Sequence, residues 1–249
     1  MRSLLIAPAD EQRLAEALES GADAIIVDLA PAAPADKVAA RAAAARFLKE
    51  TRGRGGGPVL IVRANALDSR ETDADLDMVM AGAPDAILLP RSLGAASVQQ
   101  LSAKLAVREA DLSLADGVTR IIAVADTARS LFGMASYRGS SARLTGIAWS
   151  AESLRADIGA ETDRNGLGDY AGPYRLARDL TLLAATSAGV AAIDAPFTDL
   201  RNAEGLRAEA LAARRDGFAG KMAIDSAQVG VINDVFPSRS LPVEKESPS

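Results

Sequence analysis

Asp28, Arg63, Arg91, Asp126, Ser153, Asp194 and Asp225 each follow a short apolar run. Charged and polar groups at such positions are where a parallel α/β barrel builds an active site, at the C-terminal mouths of its strands. The chain holds no histidine and no cysteine. A Ser-His-Asp triad, an imidazole base, a histidine-built metal site, thiol catalysis and structural zinc are therefore excluded. The chemistry left is that of carboxylates, arginine, lysine, tyrosine, hydroxyls, backbone amides, or a metal held by oxygen atoms.

Eight apolar runs of four to six residues place these groups: 3–7, 24–29, 59–63, 86–89, 120–125, 144–149, 191–194 and 221–224. They read as parallel strands buried on both faces. Helical patterns alternate with them at 10–20, 34–50, 71–81, 94–107, 127–137, 171–188, 203–216 and 226–235. Asp10 and Asp36 suit helix starts, and Gly21, Gly82 and Gly217 suit helix ends. Eightfold β-α alternation predicts an α/β fold, a single (β/α)8 TIM barrel. An open doubly wound sheet is the alternative, but it would usually place a Gly-rich phosphate loop after its first strand. Here that turn is Ala7-Pro8-Ala9-Asp10.

The barrel is expected over 1–236, followed by a polar, disordered tail over 237–249. Arg54-Gly55-Gly56-Gly57 precedes a strand and reads as a connector on the non-catalytic face. The long interval 150–190 contains a loop, 159–172, with Gly166, Gly168 and Gly172, which reads as a candidate lid.

Hydrophobic residues make up 49% of the chain, enough for a large core, while only 4% of residues are aromatic, which argues against stacked nucleobases as ligands. With a formal charge of −5 and dispersed basic residues, no nucleic-acid partner is expected. No apolar run approaches the ~20 residues of a membrane helix. Asp10 and Glu11 interrupt the N-terminal apolar stretch too early for a signal peptide, so a cytoplasmic location is expected.

The ordered phrases from Arg2 to Asn233 resemble the citrate lyase β-subunit-like (CitE-like) branch of the HpcH/HpaI aldolase superfamily. They are Arg2-Ser3-Leu4-Leu5 with Pro8, Gly21-Ala22-Asp23-Ala24, Val27-Asp28-Leu29, Lys37 with Arg41, and Val62-Arg63-Ala64-Asn65. Leu89-Pro90, Ala151-Glu152, Ala192-Ile193-Asp194 and Thr198-Asp199 follow, and Gly217-Phe218-Ala219-Gly220-Lys221-Met222-Ala223-Ile224 is the strongest. The resemblance implies a carbon–carbon lyase acting on a citryl-, malyl- or citramalyl-type 3-hydroxyacyl thioester. It also implies Mg²⁺ on two carboxylates, an arginine on the developing oxyanion, and a trimer or hexamer as homo-oligomer. A metal and a guanidinium would stabilise the enolate and the forming carbonyl, and Mg²⁺ needs only oxygen ligands.

The sequence departs from the family pattern where the chemistry lies. Asp-Leu-Glu-Asp is Asp28-Leu29-Ala30-Pro31, the lysine after Leu-Pro is Arg91, and the Glu of Glu-Thr is Asp126 before Thr127. The metal-binding Asp is Ser153, and His-Pro is Asp225-Ser226. On this basis the candidate catalytic residues are Arg63, Asp28 and Asp194. Arg63, Arg91 and Thr127 are the candidate substrate contacts, and Asp126 with Glu152 the candidate metal ligands for Mg²⁺. Arg63 has a core ion pair with Asp28 or Asp126 as its alternative reading, while Asp225 reads as a helix N-cap ahead of an acid/base or metal ligand. Asp194 and Asp199 could be catalytic or turn-forming, and Arg91 a surface residue. The expected ligands are a small oxoacid and acyl-CoA. The competing reading is an inactive barrel that binds an anionic metabolite or partners a true lyase.

Overall fold

A computed structural model describes residues 1–237 of the chain; the predicted tail, from 238 onward, lies outside the described residues. Eight parallel strands close in sequence order: β1 (Ser3–Pro8), β2 (Ala24–Asp28), β3 (Val59–Arg63), β4 (Ala86–Leu89), β5 (Arg120–Ala125), β6 (Leu144–Trp149), β7 (Ala191–Asp194) and β8 (Gly220–Ala223). The predicted (β/α)8 barrel is therefore the observed fold. The β8–β1 seam is tight. A side chain at Gly220 would meet the carbonyl oxygens of Met1 and Arg2 at 2.5 and 2.6 Å, so glycine lets the last strand reach the first.

The helices are α1 (Glu11–Glu19), α2 (Lys37–Arg54), α3 (Thr72–Val79), α4 (Ala95–Asp111), α5 (Ala128–Gly133), α6 (Ala151–Ile158), α7 (Gly172–Ala188), α8 (Ala203–Asp216) and α9 (Ser226–Val235). The sequence reading lacks α6. Its eight residues offer little periodicity, but Ser150 caps it by accepting from the backbone N–H of Ser153, and Gly159 ends it in a left-handed conformation.

Strand alternation divides the core in two. Leu4, Ala24, Ile26, Ile61, Ala86, Leu88, Ile122, Val124, Ala148, Ile193 and Met222 fill the barrel interior. Their strand neighbours, among them Leu5, Ile25, Val62, Ile87, Ala123, Trp149 and Ala192, pack outward against the helices. This parity decides which strand-end groups face the mouth.

Candidate active site

Two steps beyond the interior layer, Asp28 follows Ile26, Arg63 follows Ile61 and Asp126 follows Val124. Period two therefore turns all three into the C-terminal mouth. Asp28 and Arg63 are direct partners in the β2–β3 register, and Arg63 Nη1 donates to Asp28 Oδ2 at 3.1 Å. Asp28 Oδ1 accepts from the Ala30 amide at 3.0 Å, so both its oxygens are engaged.

Asp126 is 3% exposed. Its Oδ1 accepts the Arg91 backbone N–H at 2.8 Å, which helps hold Arg91 at φ 52°, a left-handed conformation uncommon for any residue but glycine. Burial pushes the Asp126 carboxyl up to about 6, although the Arg91 amide and the positive fields of Arg63 and Arg91 draw it down. The sign for stability follows. The folded state holds this proton more tightly than the unfolded state, whose value is near 3.8, so stability is lost as pH rises from about 4 to about 6. The Asp126→Asn variant should thus gain on the parent by on the order of 3 kcal/mol between pH 4 and pH 7. Urea unfolding of both proteins at the two pH values measures it, and a pH-independent difference would contradict the assignment.

The other predicted residues divide. Arg91 lies at the rim, half-exposed, with Nε 3.8 Å from Asp68. Thr127 is buried and spends its hydroxyl on the capping box of α5 with Ser130, which leaves it engaged in helix capping at the position expected to touch substrate. Glu152 lies exposed on the first turn of α6. Ser150 Oγ donates to Ser153 Oγ at 3.1 Å. Asp225 caps α9 through the Ala227 amide, at 2.8 Å. Asp199 forms a turn with the Arg201 amide.

Asp194 is the main displacement from the sequence reading. Ile193 faces the barrel interior, so Asp194 faces the helix layer. There it accepts from Trp149 Nε1 at 3.0 Å, Lys221 Nζ at 2.7 Å and Arg178 Nε at 3.3 Å. Burial alone would raise its carboxyl, but Lys221 and Arg178 hold it below the ordinary range. Lys221 also reaches Glu209 at 2.8 Å and the Ala195 carbonyl at 2.7 Å.

The candidate lid is fastened at its base. Arg164 and Tyr170 form a β-bridge, the Arg164 guanidinium lies 4.1 Å from the Tyr170 ring centre, and Arg164 Nη2 pairs with Glu209 at 2.7 Å. Arg164 also lines a recess of about 30 Å³ with Ser150, Glu152, Thr198 and Ile224, on the β6–β8 side of the mouth. Sequence reasoning missed Arg164; a lone arginine inside a Gly-rich loop after a strand was the available signal. A cleft of about 910 Å³ opens beside α8, lined by Arg178, Asp179, Asp199 and Glu209. Asp28, Arg63 and Asp126 do not line it, and strand parity makes the mouth the better site.

Among the described residues, no three His, Cys, Asp or Glu side chains group to hold a metal ion. Asp28 is hydrogen-bonded through both oxygens, Asp126 is held by the Arg91 amide, and Glu152 sits exposed on a helix turn. This donor set does not fit a resident divalent ion. Among the described residues, no helix is long and apolar enough to cross a membrane.

The profile of the HpcH/HpaI aldolase/citrate lyase family matches residues 2–226. A (3S)-malyl-CoA thioesterase of Cereibacter sphaeroides is 33% identical over 247 residues, spanning 98% of this chain and 79% of the relative. The citrate lyase beta subunit of M. tuberculosis, solved with oxaloacetate and magnesium, is 30% identical with a TM-score of 0.79, covering 94% of this chain and 96% of that one. The M. tuberculosis protein CitE, solved with magnesium, acetoacetate and coenzyme A, is 31% identical with a TM-score of 0.78, covering 95% of this chain and 81% of that one.

Proposed function

The chain belongs to the HpcH/HpaI aldolase/citrate lyase family, and from that premise we propose that it cleaves or forms the carbon–carbon bond of a small 3-hydroxyacyl thioester. The observation that carries this reading is the inward trio Asp28, Arg63 and Asp126 at the mouth of a barrel whose solved neighbours hold oxaloacetate or coenzyme A.

The substrate's hydroxyl proton passes to Asp126 as the bond to the thioester α-carbon breaks. The electron pair of that bond becomes the thioester enolate, which takes up a proton at carbon from solvent as Asp126 returns its own to solvent. Arg63, fixed by Asp28, donates to the oxygen of the forming oxoacid, and Arg91 adds positive charge at the rim. Preoriented donors of this kind stabilise charge where it develops. Magnesium, present in the solved neighbours, enters no step because the donors here do not fit it. Asp194 is left out because it faces the helix layer. A cytoplasmic homo-oligomer taking a small oxoacid and acyl-CoA completes the proposal.

The thioesterase relative supplies a second reading, hydrolysis of the thioester. Incubation with malyl-CoA separates the two. Lyase action yields acetyl-CoA and glyoxylate, whereas hydrolysis yields free CoA and malate. We expect the first pair; no cleavage and no hydrolysis of malyl-, citramalyl- or citryl-CoA would leave the anion-binding barrel as the reading.

A further inference from the structure

We infer that this barrel holds its oxoacid on two guanidiniums, Arg63 and Arg91, without a divalent metal ion. The inference rests on the reading that the mouth binds an oxoacid, and adds how it does so.

The hydrogen bonds around the mouth support it. Asp28 has given one oxygen to the Ala30 amide and the other to Arg63. Asp126 has given one to the Arg91 amide. The Asp126 carboxylate lies in the positive fields of both Arg63 and Arg91. A dication there would face the positive charges of Arg63 and Arg91, with both carboxylates already drawn into protein hydrogen bonds and no third acidic side chain grouped with them among the described residues. Ser150 and Ser153 add no negative charge, and the Ser150 hydroxyl is spent on capping α6 and on donating to Ser153.

For an anion the balance reverses. A guanidinium carries five N–H donors in a planar fork suited to a carboxylate. Arg63 spends one on Asp28, and its side chain is only 27% exposed, so its position is set before a ligand arrives. The Arg91 guanidinium has the looser Asp68 contact at 3.8 Å, with Asp68 73% exposed, a pair that an incoming carboxylate can displace. Asp126 acts here as a positioning residue. By binding the Arg91 amide it keeps the loop after β4 in its left-handed turn and the guanidinium at the rim.

Titration of oxaloacetate into the full chain, once in excess EDTA and once in excess MgCl₂, tests this. The dissociation constants should agree within about twofold. Arg91→Ala and Arg63→Gln should each weaken binding in EDTA about tenfold or more, the loss of a charge-assisted hydrogen bond. Arg91 is half-exposed, so its variant keeps the test available should Arg63→Gln not fold. Binding that requires Mg²⁺ and vanishes in EDTA would overturn the metal-free site while leaving the oxoacid reading intact. Binding in neither condition would overturn both.

Discussion

Arg63→Ala is expected to lower kcat by roughly two to three orders of magnitude, with KM rising by only about tenfold, the loss expected in oxoacid binding. The split follows from what the guanidinium does. Its contact with the ground-state substrate competes with water, but the oxygen that gains charge as the bond breaks finds an oriented donor only in Arg63. Arg63→Lys should recover only part of the loss, because an ammonium cannot hold Asp28 and the substrate oxygen in one plane. Asp28→Asn should be milder, near tenfold. An amide oxygen can still take the Ala30 N–H, but the charge that orients Arg63 is gone. Steady-state kinetics on the thioester identified by product analysis would measure all three. Equal losses in the lysine and alanine variants would mean that Arg63 acts as bulk charge. A loss confined to KM would mean that it only binds substrate.

The same residue shows how much of the site the sequence carried. Val59-Leu60-Ile61-Val62-Arg63 ends on a charge after four apolar residues, and the barrel pattern alone places that charge at the mouth. Asp28 and Asp126 are legible for the same reason, and Asp225 before Ser226 reads correctly as a cap. Asp194 was not legible. Ala191-Ala192-Ile193 is apolar on both faces of β7, so nothing in the letters says whether the next residue points to the mouth or to the helices. Only the packing of Ile193 among the interior residues decides it. Lys221 was hidden in the same way, within a strand whose outward neighbours are helices. At Thr127 a hydroxyl after a strand suits a substrate contact and an N-cap alike, and the structure shows the cap at the start of α5.

The group that parity sends away from the mouth carries the largest expected stability effect. Lys221 and Asp194 are both 0% exposed and meet at 2.7 Å, with Glu209 and Arg178 completing the network. Lys221→Met should destabilise the fold by about 3–5 kcal/mol, because it strands the Asp194 carboxylate in the helix layer with Arg178 alone to offset it. Asp194→Asn should cost a similar amount for the converse reason, since the Lys221 ammonium then depends on Glu209. The two losses should not add. With both charges gone neither is left unpaired, so the double variant should cost well below the sum. Urea unfolding of the four proteins closes the cycle. Additive losses would show that Lys221 and Asp194 act separately, for instance through the Ala195 carbonyl and the Trp149 indole. A coupled pair would instead make β7 and β8 a single ion-paired unit. The Asp194 carboxylate would then hold the barrel wall on which the mouth residues depend, without touching the substrate.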